Sequence, residues 1–217
     1  MDNYIENYWQ MKLNAVKKSL ADNNFEAHVV RDGEQAKNLV LENIIPEIKP
    51  EVLSWAGSGT FKECGLYEAL IGQSGISVID TYKKEKSREQ VIETRRKALL
   101  SDLFLTGTNA VTESGALVNL DMIGNRVGAL TFGPKHVVVL AGRNKVVADV
   151  ESAAERIKNY AAPANAMRLD KKTPCAKTGE CEDCQTPDRI CNVWTISEKS
   201  FPKGRIKVIL INKDMGL

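Results

Sequence analysis

The feature that most constrains this chain is an early, repeated switch between helical and strand periodicity. Ile5, Trp9, Leu13, Val16 and Leu20 recur at steps of three and four, so they share one face of a helix that the polar run Asp22-Asn23-Asn24 ends. Phe25 to Val30 then reads as a strand, and Asp32 with Gln35 signals a helix start before Ala36, Leu39 and Val40. The order repeats. Val52 to Ala56 is a strand, Gly57-Ser58-Gly59 a tight loop, and Thr60 with Glu63 a capping box opening a helix through Phe61, Cys64, Leu70 and Ile71. Strand Ile76 to Asp80, a helix opened by Ser87 and Gln90, and strand Asp102 to Thr106 follow. Strands alternating with helices predict an α/β fold with a mostly parallel sheet covered on both faces.

From Ala116 the expected rhythm changes to three strands, Ala116 to Asp121, Arg126 to Leu130 and His136 to Leu140, read as hairpin-like and partly antiparallel additions with a turn at Gly124-Asn125. A helix is expected from about Ala148 to Tyr160. Pro163 and the segment Pro174 to Cys191 interrupt regular structure, and two closing strands, Val193 to Ser197 and Arg205 to Asn212, turn through Pro202-Lys203-Gly204. Residues 1–217 thus read as one domain, with an N-terminal helix over about 1–24 and a cysteine-bearing insertion over about 170–192.

Composition sets limits on function. Thirty basic against 28 acidic residues leave a formal charge of +2, which argues against a nucleic-acid protein held by phosphate neutralisation. No apolar run is long enough to span a membrane, and Met1 to Asn24 lacks the apolar core of a signal peptide, so a cytoplasmic protein is expected.

Two loops should meet beyond the carboxyl ends of the parallel strands, where open α/β sheets bind ligands. In the first, Gly57, Ser58, Gly59 and Thr60 suit a small carboxylate or phosphate, because glycines let the backbone approach an anion; a plain β-to-α connection explains them as well. In the second, Gly107 to Gly115 gathers Thr108, Asn109, Thr112 and Glu113. Asn109 or Thr112 would bond a substrate oxygen. Glu113 is read as a general base or nucleophile, or alternatively as the partner of a cation such as Arg126. Arg126, Lys135 and His136 are further candidates to bind an anionic ligand, although a histidine at a strand entry also reads as a packed or solvent-facing residue, and Arg143 and Lys145 follow that strand as a cationic pair suited to a phosphate or carboxylate, or as a solvated loop.

Cys175, Cys181, Cys184 and Cys191 crowd one short, turn-rich window, apart from Cys64, which sits on an apolar helix face and reads as a small hydrophobe. Four thiolates presented by turns can close around one metal centre, and both zinc and an iron-sulfur cluster use four cysteines. Two disulfides are the weaker reading for a chain expected in the cytoplasm.

The run Trp55 to Thr60, the stretch Thr108 to Leu117 reading TNAVTESGAL, Asn125-Arg126 and Gly133 to Val137 together resemble the LUD-domain family, which includes lactate-utilisation protein C. Arg189 to Asn192 with Gly204 to Ile206 resemble members carrying a cysteine-containing tail. The resemblance implies a Rossmann-like sheet similar to that of CoA transferases and sugar-phosphate isomerases, and a link to L-lactate oxidation alongside iron-sulfur protein subunits. Three functions remain open. The chain is an accessory or ligand-binding component of a lactate-type oxidation system with a four-cysteine centre, a transferase-like or isomerase-like enzyme using Glu113, or a binding module whose metal site is structural. The face Ile5 to Leu20 packs either on the domain or on a second copy in a homo-oligomer.

Overall fold

The structure, a computed structural model, describes residues 4–83 and 87–217; the first three residues of the expected N-terminal helix lie outside that range. Helix α1 (Tyr4–Asp22) buries Leu13, Val16 and Leu20, while Ile5 stays exposed, so only the later turns of the expected apolar face pack on the domain. Strand β1 (Glu26–Val30) leads to Asp32, whose side chain accepts from Gln35 N at 2.9 Å and caps α2 (Gly33–Asn38), as the sequence predicts. That helix widens into a π segment at Leu39–Ile44 before α3 (Ile45–Ile48), which carries Pro46 in its first turn. A proline offers no N–H, and the wider turn places the change of bonding register where the donor is missing. Then come β2 (Val52–Trp55), α4 (Gly59–Glu63), α5 (Leu66–Ile71), β3 (Ser77–Ile79), α6 (Arg88–Ala98) and β4 (Leu103–Gly107). The capping box of Ser87 and Gln90 opens α6 as expected.

The second half departs from the sequence reading. Ala110–Thr112, inside the expected polar loop, is a short strand, β5, and β6 (Leu117–Asp121) follows. The expected strand at Arg126 to Leu130 is a helix, α7 (Asn125–Thr131). The Asp121 carboxylate accepts from the N–H groups of Arg126 and Val127, which starts the helix, and the buried positions Arg126, Val127, Ala129 and Leu130 follow helical spacing rather than strict alternation. Strand β7 (His136–Gly142) is buried throughout from Val137 onward and lies parallel within the main sheet, so its unbroken apolar run marks an interior strand and not a hairpin arm.

A 3₁₀ turn at Arg143–Lys145, β8 (Val146–Val147) and α8 (Val150–Arg156) come next. The helix does not stop at Pro163: a π segment at Ile157–Ala161 precedes the proline and α9 (Ala162–Arg168) continues beyond it, the same device as at Pro46. A short α10 (Cys175–Thr178), β9 (Val193–Ser197) and β10 (Ile206–Ile211) complete the order. The last two strands do not pair with each other. Strand β9 joins a four-stranded mixed sheet, β8-β5-β6-β9, whereas β10 enters the six-stranded parallel sheet β1-β10-β7-β4-β2-β3.

The parallel sheet sorts its side chains by alternation. Val138, Leu140, Ile209 and Ile211 face a core with Trp55, Phe61 and the helices between β1 and β3. Val137, Val139, Val208 and Leu210 face Leu13, Val16 and Leu20 of α1 together with Val111 and Leu117 of the mixed sheet. The architecture is a Rossmann-like α/β sheet with a mixed second sheet. Among the described residues no helix is long and apolar enough to cross a membrane.

Candidate functional site

The carboxyl ends of β2, β4 and β7 open onto a cavity of about 440 Å³. Gly57, Ser58 and Gly59 form one wall after β2. Ser58, rather than Thr60, caps α4, accepting from Phe61 N at 3.2 Å, because its extended backbone aims the hydroxyl at the first turn. The Ser58 N–H is itself taken by the Tyr82 hydroxyl at 3.1 Å. Glu63 closes no box; it accepts from Gly216 N at 2.8 Å. Gly107, at the end of β4, permits the approach of this wall, since a Cβ there would come within 2.6 Å of Ser58 Oγ.

The second wall follows β4. The side-chain oxygen of Asn109 accepts from Leu120 N and, at 2.8 Å, from Arg126 Nη2, while the buried Thr108 hydroxyl lies 3.1 Å from Asn119 Oδ1. Arg126, the second residue of the helix that replaced the expected strand, reaches back under this loop. Its terminal nitrogens donate to Gly107 O, Leu120 O, Asn109 and, in a very short contact, Asn119. Burial lowers the pKa of this guanidinium.

The third wall is Lys145, in the 3₁₀ turn after β7. Its Nζ donates to Thr60 Oγ1 at 2.9 Å and to Thr108 O at 3.2 Å, which explains why Thr60 turns inward instead of capping. Burial first, then the Arg156 and Arg126 guanidiniums, push its pKa down to about 7. Arg95 of α6 and Arg168 of α9 add two more cations to the lining, against the carboxylates of Glu63 and Asp121. Gly216 closes the side next to Thr60: its φ is +64°, and a Cβ there would lie 2.5 Å from Thr60 Oγ1.

The structure thus gathers Gly57, Ser58, Gly59, Thr108, Asn109 and Arg126 at one cavity, with Thr60 buried directly behind through Lys145. The other expected site residues lie elsewhere. Glu113 sits half-exposed in the turn after β5, 2.6 Å from Lys12 of α1, and not beside Arg126. Thr112 spends its hydroxyl on Ser114 and on Ala116 N in that same turn. Lys135 and His136 stand at the opposite, amino end of the sheet, where Lys135 pairs with Asp102 at 2.7 Å. The cationic pair divides: Arg143 turns away to Glu6 and Asp214, and Lys145 alone enters the cavity. Arg95, Arg168, Tyr82 and Gly216 carried no signal in the sequence, because each reaches the cavity from a segment remote from the glycine loops.

Cys175, Cys181, Cys184 and Cys191 are half-buried free thiols that line a second, much smaller cavity with Lys158 and Arg189. Turns at Gly179 (φ +81°) and Asp183 (φ +48°) direct the chain around it, and Arg189 ties the loop through Cys191 O at 3.0 Å and the Asp183 carboxylate at 2.8 Å. Among the described residues no three His, Cys, Asp or Glu side chains stand within reach of one ion. Ile190 lines both cavities, with α9 between them. Cys64 is buried, and desolvation pushes its thiol up to about 12, in keeping with an inert small hydrophobe.

The LUD-domain model matches residues 13–211. The chain belongs to the LUD-domain family. A crystal structure of a DUF162 family protein from Deinococcus radiodurans shares the fold, with a TM-score of 0.51 and 14% identity over 94% of this chain and 98% of that one. No curated protein matches. In this LUD domain the motifs Trp55 to Thr60 and Thr108-Asn109 therefore supply two walls of one cavity, and Asn125-Arg126 supplies a buried guanidinium to it.

Proposed function

We propose that this LUD-domain protein is the carboxylate-binding component of a cytoplasmic lactate-type 2-hydroxy-acid oxidation system, with a four-cysteine metal centre beside the binding cavity. The observation that carries the reading is the pairing of Arg126 and Lys145 at the cavity: among the described residues neither makes an ion pair with a carboxylate, so a buried guanidinium and a buried amine that an anion would help to protonate face a space that an anion can enter. A small carboxylate brings the compensating charge, and Arg95 and Arg168 offer forked donors to it. The family name supplies the link to lactate.

The metal half rests on chemistry and on the shared pocket. Cys175, Cys181, Cys184 and Cys191 are the ligands a zinc ion or an iron-sulfur cluster takes, and Lys158 and Arg189 beside them offset the negative charge of four thiolates. Closure requires the loop to draw inward around the metal. An iron-sulfur cluster would supply one-electron transfer; zinc would staple the loop. Exposed Trp194 and Ile196 on the outer strand β9 offer apolar surface to an iron-sulfur protein subunit, and exposed Tyr4, Tyr8 and Met11 on α1 offer it to a second copy.

Titration calorimetry of the anaerobically purified protein with L-lactate, pyruvate and inorganic phosphate tests the first half. Saturable binding of the carboxylates supports it, and heats that match a buffer blank overturn it. The absorption spectrum with iron, zinc and sulfide analysis of the same sample tests the second. A brown protein with iron and sulfide supports a cluster, a colourless one with stoichiometric zinc supports a staple, and a protein with neither metal whose thiols all titrate removes the centre.

A further inference from the structure

Lys145 is the one group at the cavity whose environment suits it to covalent chemistry. Its Nζ meets two oxygen acceptors, Thr60 Oγ1 and Thr108 O. The Thr60 hydroxyl donates onward to Met215 O at 3.2 Å, so its lone pairs are left to accept from the amine. Two acceptors match the two N–H groups of a neutral amine and leave the nitrogen lone pair without a protein partner. An ammonium would have a third N–H to satisfy, and among the described residues no carboxylate stands within ion-pair distance of it, Glu63 acting only from further off.

We propose that Lys145 condenses with the carbonyl carbon of a 2-oxo acid held in the cavity, forming an imine. The inference rests on the reading of the cavity as a carboxylate site, and it names the oxidised partner of a 2-hydroxy acid as the ligand that reacts. The lone pair of Nζ attacks the carbonyl carbon and a C–N bond forms. The carbonyl oxygen then leaves as water with the two protons of the amine, and carbon and nitrogen keep their oxidation levels, so no oxidant or reductant enters.

The surroundings favour each part of this step. The terminal nitrogens of Arg126 are already spent on Gly107, Asn109, Asn119 and Leu120, so it acts on a ligand through its charge. The direct contact falls to Arg95 and Arg168, whose side chains line the same space. Lys145 keeps its proton loosely for reasons visible in the geometry: it is buried, Arg156 and Arg126 oppose its charge, and Glu63 offsets them only in part. A lysine that is neutral in a substantial fraction near pH 7 is a nucleophile, whereas an exposed lysine is almost wholly protonated there and reacts poorly.

The test is reductive trapping in the full-length protein. Pyruvate is added at neutral pH, sodium cyanoborohydride reduces any imine, and peptide mapping by mass spectrometry locates the modification. The expected result is one reduced pyruvyl group on Lys145, suppressed by excess L-lactate and lost in Lys145→Arg. The map of the unaltered protein decides the point without the variant, so the test survives a misfolded Lys145→Arg. If pyruvate raises the melting temperature but Lys145 carries no adduct, the imine is overturned and the carboxylate site stands. If pyruvate and L-lactate leave the melting temperature unchanged and no adduct forms on Lys145, both fall. Labelling spread over exposed lysines at the same level as Lys145 also overturns the imine.

Discussion

Lys145 Nζ donates to the Thr60 hydroxyl across 2.9 Å and so ties the turn after β7 to the helix after β2, with both side chains buried. Thr60 passes the bond on to Met215 O, which fixes the third segment of the cavity wall. In Thr60→Val the shape is kept while a Lys145 N–H and the Met215 carbonyl lose their partner. Leaving such buried groups unpaired costs about 1–3 kcal/mol, read as a lower urea midpoint with unchanged slope. Thr60→Ser retains the bond and is expected to recover most of that loss.

The same lysine sets a pH dependence. Folded, it titrates at about 7 against an ordinary value of 10.5, so between those values the unfolded chain carries a proton here that the folded chain lacks. The contribution of this site to stability therefore rises with pH from about 7 to 10.5, and below 7 its full penalty is present because both states are protonated. Lys145→Met abolishes this slope. Urea unfolding of both proteins across that range should show the difference moving in favour of the unaltered chain as pH rises; parallel curves would contradict it.

Arg126→Lys keeps the charge and loses the fork. One ammonium cannot serve Gly107 O, Leu120 O, Asn109 and Asn119 at once, so the loop after β4 loses the support that shapes the cavity. Carboxylate affinity by calorimetry is expected to fall at least about tenfold, about 1.4 kcal/mol, and unfolding stability by about 2–3 kcal/mol.

Glu113→Gln removes a half-exposed pair with Lys12 and nothing at the cavity. The expected change is under about 1 kcal/mol in stability, with ligand affinity unaltered. An affinity loss in this variant would restore Glu113 to the site.

The alternation of the first hundred residues was legible because each helix start is decided within a few residues, as at Asp32-Gln35 and Ser87-Gln90. Thr60 and Glu63 show the same signature and do not cap, since Ser58 lies closer to the helix start and Lys145 and Gly216 claim the two side chains from far along the chain. The short apolar run Arg126 to Leu130 fits either period, and only the Asp121 carboxylate beneath it selects a helix. The cavity was readable where its walls directly follow strands, at Gly57 to Gly59 and Thr108-Asn109. Glu113 was misplaced because Ala110–Thr112 is a strand that carries the chain away from the cleft into the mixed sheet. Arg95 and Arg168 sit on helices, where a cation reads as solvated; Arg168 is indeed exposed, and only the tertiary fold puts the two at the rim of one cavity.

The placement of β10 between β1 and β7 has a consequence for how the chain reaches this state. Strand β1 has its ladder with β10 alone in the main sheet, Glu26 lying opposite Lys207, so a strand made early in this domain waits for one made late in it. Closing so long a loop is entropically expensive and slow. Until residues 206–211 slot in, β1 lacks its ladder partner and α1 part of the surface it packs on, and Arg143 lacks Asn212 and Asp214. The cavity is therefore completed late: a nascent chain that stops short of β10 has already made both glycine loops and still lacks the wall that Met215 and Gly216 supply through Thr60 and Glu63.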